Sequence, residues 1–115
     1  MEKIYFYKLC QDNGEPVLEL CRGYRFDYGH LAFGISKLGH EWSATEISTG
    51  LSAKVYAKRL KDIPEAFKKC EEEGRFQQLE DIVFSEDEHI LWAQEFVHKG
   101  VRQAIDEQLK SLFKH

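Results

Sequence analysis

The hydrophobic period of this chain changes once, near residue 60, and that change constrains the fold more than any other feature. Before it, apolar and polar residues alternate with the period of two that a pleated strand imposes. After it, they recur at three and four residues, as on one face of a helix. Strands gathered in the first half and helices in the second predict the α+β class: an antiparallel sheet of four to five strands followed by two to three helices, the last one long. With 115 residues, 43% of them hydrophobic, the chain can bury one core. Residues 1–115 are therefore expected to form a single domain, 1–60 mainly strands and 61–115 mainly helices.

The strand half is punctuated by turns. "KIYFYKL" sets Ile4 and Phe6 against Tyr5, Tyr7 and Leu9, and "DNGE" places Asn-Gly, the strongest short hairpin signal, at its centre. "PVLELCR" returns with Val17, Glu19 and Cys21 on one face and Leu18 and Leu20 on the other; Pro16 restricts that strand to a start or an edge. "HLAFGISKL" alternates Leu31, Phe33 and Ile35 against His30, Ala32, Gly34 and Ser36. After a turn at Gly39, "EWSATEIST" sets Trp42, Ala44 and Glu46 against Ser43, Thr45 and Ile47. Thr49-Gly50 turns again, and "LSAKVYAKRL" sets Leu51, Ala53, Val55 and Ala57 against Ser52, Lys54, Tyr56 and Lys58. The result is a meander with one apolar face that something must cover.

The second half supplies the cover. In "DIPEAFKKCEEEG" Asp62 and Glu65 read as a capping box, Pro64 falls in the first turn, and Ile63, Phe67 and Cys70 share a face before Gly74 ends the helix. "RFQQLEDIVF" carries Phe76, Leu79 and Val83 at helical spacing. A third helix is expected to be capped by Ser85, with Glu88 completing a second box, and to run from Glu86 to nearly the C-terminus with a break in propensity at Gly100. Ile90, Ala93, Val97, Val101, Ala104 and Leu112 form its apolar stripe. Leu91, Trp92 and Phe96 widen the stripe beyond what one sheet face needs. That excess predicts an oligomer interface formed by Leu91, Trp92, Phe96, Val101, Ile105 and Leu109.

Charge and composition narrow the function classes. Sixteen basic against twenty acidic residues give a net charge of −4, which disfavours duplex nucleic acid, whose binding is driven by phosphate neutralisation. "MEKIYFYKLC" does not read as a signal peptide and no run approaches the length of a membrane span. Cys10, Cys21 and Cys70 are odd in number and fit no ligand spacing, so three free thiols in the cytoplasm are expected. There is no phosphate loop, HExxH, GxSxG or CxxC, hence no cofactor, metal or catalytic residue is assigned.

The densest cluster of rings and charge is "GYRFDYGH", Gly23 to His30. If extended, it places Tyr24, Phe26 and Tyr28 on one side and Arg25 and Asp27 on the other. Rings beside an arginine hold planar anions: the ring stacks and the guanidinium forks onto the phosphate. Tyr24, Arg25, Phe26, Asp27, Tyr28 and His30 are therefore candidate ligand- or partner-binding residues, with Arg25 the electrostatic anchor. Lys54, Tyr56 and Lys58, in the most basic stretch of the chain, are a second candidate patch.

The segment "EWSATEISTGLSAKVYAKRLKDIPEAFKK", through Trp42, Thr49, Gly50, Leu51 and the helix at Ile63 to Phe67, resembles small proteins of phages and other mobile elements rather than any one family. The resemblance covers about a quarter of the chain. It implies action without catalysis, as an inhibitor or sequestering agent against host defences, and carries no functional residue across. The sequence thus predicts a non-enzymatic cytoplasmic binding protein that is a homo-oligomer, with a host protein or a small, nucleotide-like anion as its target. The alternatives are a small enzyme using Cys21, Asp27 and His30, or a purely structural assembly subunit.

Overall fold

The computed structural model describes residues 1–113, the side chains of residues 109 and 111–113 excepted. Five strands form one antiparallel sheet in sequence order: β1 (Lys3–Asp12), β2 (Glu15–Tyr28), β3 (Leu31–Leu38), β4 (Glu41–Glu46) and β5 (Ser52–Ala57). A short 3-10 turn leads to α1 (Ile63–Glu72), α2 (Arg75–Val83) and α3 (Glu88–Phe113). The chain is α+β, with the sheet first and a long helix last.

Asn13 and Gly14 both have positive φ, 53° and 81°, so the first hairpin closes through a two-residue turn whose twist matches the strands it joins. The stretches read separately as "PVLELCR" and "GYRFDYGH" are one fourteen-residue strand. Its first part pairs with β1 over Glu15–Tyr24 and its last part with β3 over Tyr24–Tyr28. β3 pairs with β4 from Phe33 to Leu38, so beyond Ile35 β4 is its one partner in the register. The two hairpins therefore fork at Tyr24 and Ile35. Gly23 marks the fork because a Cβ there would lie 2.0 Å from the Ile35 carbonyl oxygen.

One sheet face packs under α1 and α2. Phe33, Ile35, Ala44 and Val55 meet Ile63, Phe67, Cys70 and Phe76 in a buried cluster. Phe67 is fully buried and its ring lies 4.6 Å from that of Phe33, centroid to centroid. On the other face the outer part of the first hairpin curls over the sheet. Phe6 is buried directly above Gly34, where a Cβ would come within 2.5 Å of its ring, and the Leu9 N–H donates to the Gly50 carbonyl at 2.8 Å. The turn that supplies Gly50 is fixed by Glu46, a buried carboxylate. It accepts hydrogen bonds from the Ser48 N–H, the Ser48 hydroxyl and the Thr49 N–H. This satisfies a charge that burial would otherwise make costly.

The helix starts differ from the sequence expectation. Asp62 does not cap α1 with its side chain; its carboxylate takes Arg59 Nε at 2.9 Å. For α3 the capping carboxylate is Asp87, which accepts from the His89 and Ile90 N–H groups at 2.9 and 3.4 Å. Ser85 instead donates to the Ile82 carbonyl and accepts from the Asp87 N–H. Along α3, Ile90, Ala93 and Val97 are buried, but Val101 and Ala104 of the expected stripe are exposed. Gly100 marks where the helix crosses Leu18 and Tyr7. Past it the described side chains are exposed on every side. The radius of gyration is accordingly 15.2 Å, against roughly 13 Å for a compact chain of this length.

Candidate functional site

The fork is where chemistry collects. Side chains directly opposite each other in a ladder share a face, and the register pairs Lys3 with Tyr24, Tyr5 with Arg22 and Lys37 with Trp42. Tyr24 also pairs with Ile35, which pairs with Ala44, so all six lie on the face that α1 and α2 cover farther along. Here the helices do not reach. The six line an open cleft of about 370 Å³, together with Ile4 and Gly23, and no carboxylate lines it.

The rings hold the cations in place. The Arg22 guanidinium carbon lies 6.0 Å from the centre of the Tyr5 ring, and Lys37 Nζ 5.9 Å from that of Trp42. Each contact is worth about 0.5–1 kcal/mol at an exposed site. Tyr24 and Trp42, both half-buried, meet at 6.0 Å with their planes tilted by 59°. Lys3, Arg22 and Lys37 form no ion pair among the described residues. Three cations without a counter-charge repel one another, and an anion seated among them removes that repulsion. The arrangement thus offers donors for an anionic group beside flat ring surface, in a chain whose net charge is negative.

The residues named from the sequence are distributed differently. Of "GYRFDYGH", Tyr24 is the one side chain that lines the cleft, beside Gly23. Phe26 and Tyr28 share its face but lie under α1, with ring centres 5.1 and 5.4 Å from that of Phe67; Tyr28 also meets Phe76 edge-on at 4.9 Å. Those two rings are partly buried against the core, and of the three expected stacking rings Tyr24 is the one in the cleft. Arg25 and Asp27 point to the opposite face and pair with each other at 2.9 Å, both about half-exposed. Arg25, expected as the anchor, therefore lies outside the cleft; Arg22, three residues earlier and across from Tyr5, lies in it. His30 is exposed, and its backbone N–H donates to Glu80, clamping the β2–β3 turn to α2.

The alternative trio does not assemble. Cys21 lies seven strand residues before Tyr28, roughly 23 Å along an extended chain, with His30 beyond the turn. Cys21 is buried, and burial is the main influence pushing its thiol up. The thiols of Cys10 and Cys70 are pushed up likewise, by burial first. All three cysteines are free thiols.

Lys54 and Tyr56 are exposed on β5, the last strand of the sheet order, and Lys58 is exposed just past its end. Lys54 has φ 55° at an irregularity in the β4–β5 pairing, so it does not continue a regular row with Tyr56. Tyr56 and Lys58 border a shallow cavity that Asp62, Glu65 and Glu72 also line, a mixed-charge surface unlike the fork.

The expected interface residues split into two groups. Val101 and Ile105 line an apolar groove of about 430 Å³ between α3 and the first hairpin, while Leu91 and Val101 border a second cavity beside Ile47. Trp92 and Phe96 lie on the other side of the helix, since Phe96 and Ile105 are separated by a half-integral number of turns. These two rings stack on each other at 5.1 Å, and Trp92 is 46% exposed. Leu109 lies outside the described residues.

No helix among the described residues is long and apolar enough to cross a membrane. No family model matches the chain, nor does a curated protein or a solved structure.

Proposed function

We propose that the protein is a non-enzymatic, cytoplasmic binding protein whose fork cleft holds a small anionic ligand with a planar ring. One observation carries this reading: Lys3, Arg22 and Lys37 share one cleft with Tyr5, Tyr24 and Trp42, and no carboxylate lines it. The anionic group lies among the cations and the ring against Trp42 or Tyr5, the division of labour that sequence-tolerant nucleotide binders use. The volume falls within the range of small-molecule sites. The resemblance of Trp42 to Phe67 to small phage and mobile-element proteins supports withholding such a ligand, as an anti-defence inhibitor does, over converting it.

Calorimetric titration with adenosine monophosphate and with phenyl phosphate tests the reading. Both bind, and Arg22→Gln weakens both by more than about tenfold without lowering the melting temperature. Equal affinity of the variant and the parent would end it.

A second reading concerns assembly. The exposed Trp92, stacked on the half-buried Phe96, favours self-association through that flank of α3. Light scattering over a hundredfold dilution tests it: a mass above 13.5 kDa that Trp92→Ser returns to that of the monomer supports it, and a monomer throughout rejects it.

A further inference from the structure

The cationic cleft and the apolar groove are neighbours, and Tyr5 is the wall they share. On one side of its ring lie Arg22, Lys3 and Lys37. On the other the groove runs between β1–β2 and α3, lined by Tyr7, Leu20, Val97, Val101 and Ile105 among others, with Gln108 the one polar residue apart from the tyrosine hydroxyls. The register explains the change of character. Tyr5 faces Arg22 across the ladder, and the next pair on the same face is Tyr7 with Leu20. One step of two residues along the hairpin therefore turns a cationic surface into a hydrocarbon one.

From this juxtaposition we infer that the ligand is a single-chain amphiphile: an anionic, ring-bearing head in the fork cleft and a hydrocarbon tail in the groove under α3. The inference rests on the cleft reading above and extends it to the ligand's other half. The argument for the occupant is charge complementarity. A groove lined almost wholly by apolar side chains would suit any apolar partner, but one that opens at Tyr5 onto three cations with neither ion pair nor neighbouring carboxylate among the described residues selects a tail that begins at an anion. The groove side chains also remain uncovered in the monomer. Leu20 is 58% exposed and Ile105 50%, so a tail lying there removes their surface from water together with its own. Cleft and groove, about 370 and 430 Å³, each fall in the range of small-molecule sites.

Calorimetry with phenyl phosphate, para-butylphenyl phosphate and para-octylphenyl phosphate, each kept below the concentration at which it forms micelles, separates head from tail. A methylene fully covered by the groove raises affinity about fourfold. The expected result is binding of all three, with affinity rising by more than about tenfold across the series. Val101→Asp and Ile105→Ser, both at exposed positions of α3, abolish that rise while phenyl phosphate binds them as it binds the parent; melting temperatures report that both variants fold. Phenyl phosphate binding with no gain from the chain overturns this inference and leaves the cleft reading standing. Failure of all three to bind overturns both. Chain-dependent binding that is indifferent to Arg22→Gln would make the groove a general apolar site and overturn the amphiphile. A dimer dissolved by Val101→Asp, without chain dependence, would assign the groove to a second copy and overturn it as well.

Discussion

Tyr24 and Tyr28 sit on one strand and one face, four residues apart, yet they belong to different parts of the protein. Tyr28 lies beneath α1, its ring against Phe67 and Phe76, and burial is the main influence raising its hydroxyl pKa. Tyr24 lies where the hairpins diverge, its ring against Trp42 in an open cleft. Residue type and strand parity are the same. What differs is whether a helix lies overhead. Coverage, a property of topology, decides whether an aromatic ring on this sheet is core or surface.

The covered end should fail first and hardest. Phe67 is fully buried and meets Phe26, Tyr28, Phe33 and Phe76. Phe67→Ala is expected to cost about 3–5 kcal/mol, through lost burial and the cavity left behind. Urea denaturation measures it directly. A loss below about 1 kcal/mol would mean that the sheet face is not sealed by α1, and the contrast with the fork would collapse.

Gly34 gives the next largest effect, and it tests the curl of the first hairpin. Any side chain at Gly34 would meet the Phe6 ring at 2.5 Å. Gly34→Ala should therefore destabilise by about 1–3 kcal/mol as overpacking. Phe6→Leu in the same chain should recover part of that loss, because the pair is in contact and their effects are not additive. Strictly additive effects would place Phe6 elsewhere and flatten the sheet.

Most of the scaffold was legible in the sequence because its signals are local. Asn13-Gly14 fixed the first turn, the alternation around Phe33 and Ile35 fixed the core strand, and Ile63, Phe67 and Cys70 fixed the covering helix. The cleft was partly legible too. A hairpin centred on Asn13 and Gly14 puts Tyr5 opposite Arg22, and one centred on Gly39 and His40 puts Lys37 opposite Trp42. What no local pattern contained was that β2 is long enough to serve two hairpins and that they part at Gly23. Without the fork, Lys3, Arg22 and Lys37 are unremarkable surface cations on three strands. The dense stretch "GYRFDYGH" drew attention because its residues are adjacent in sequence, whereas strand parity sends alternate members to opposite faces.

The cysteines make a smaller, pH-dependent test. Cys21 and Cys70 are buried, and their folded pKa values are raised above the ordinary 9.0, with desolvation the first cause. A raised folded pKa means that the unfolded chain loses its protons first as pH rises. The stabilisation is thus fully present below the unfolded thiol pKa, near 8.5, and is lost as pH climbs through the folded values. Urea midpoints should hold from pH 7 to 8 and fall above pH 9, less steeply in Cys70→Ala. An identical fall in that variant would assign the loss to other groups.

The smallest expected effect is at Arg25, and it sharpens the comparison between the two arginines of this region. Arg22 and Arg25 differ by three residues, so strand parity puts them on opposite faces. Arg22 faces Tyr5 in the cleft; Arg25 pairs with Asp27 at 2.9 Å, and the two side chains are 48% and 63% exposed. An ion pair that open to water contributes about 0–1 kcal/mol, since both charges are solvated without each other. Arg25→Ala should therefore move stability by no more than about 0.5 kcal/mol and leave binding of adenosine monophosphate unchanged. Arg22→Ala, which forgoes at most about 1 kcal/mol through the Tyr5 contact, should weaken that binding. The contrast depends on parity alone, because the two residues share type, strand and exposure to solvent. If Arg25→Ala weakened binding and Arg22→Ala did not, the recognition face would be the one carrying Asp27, and the anion would sit on the opposite side of the sheet from Trp42.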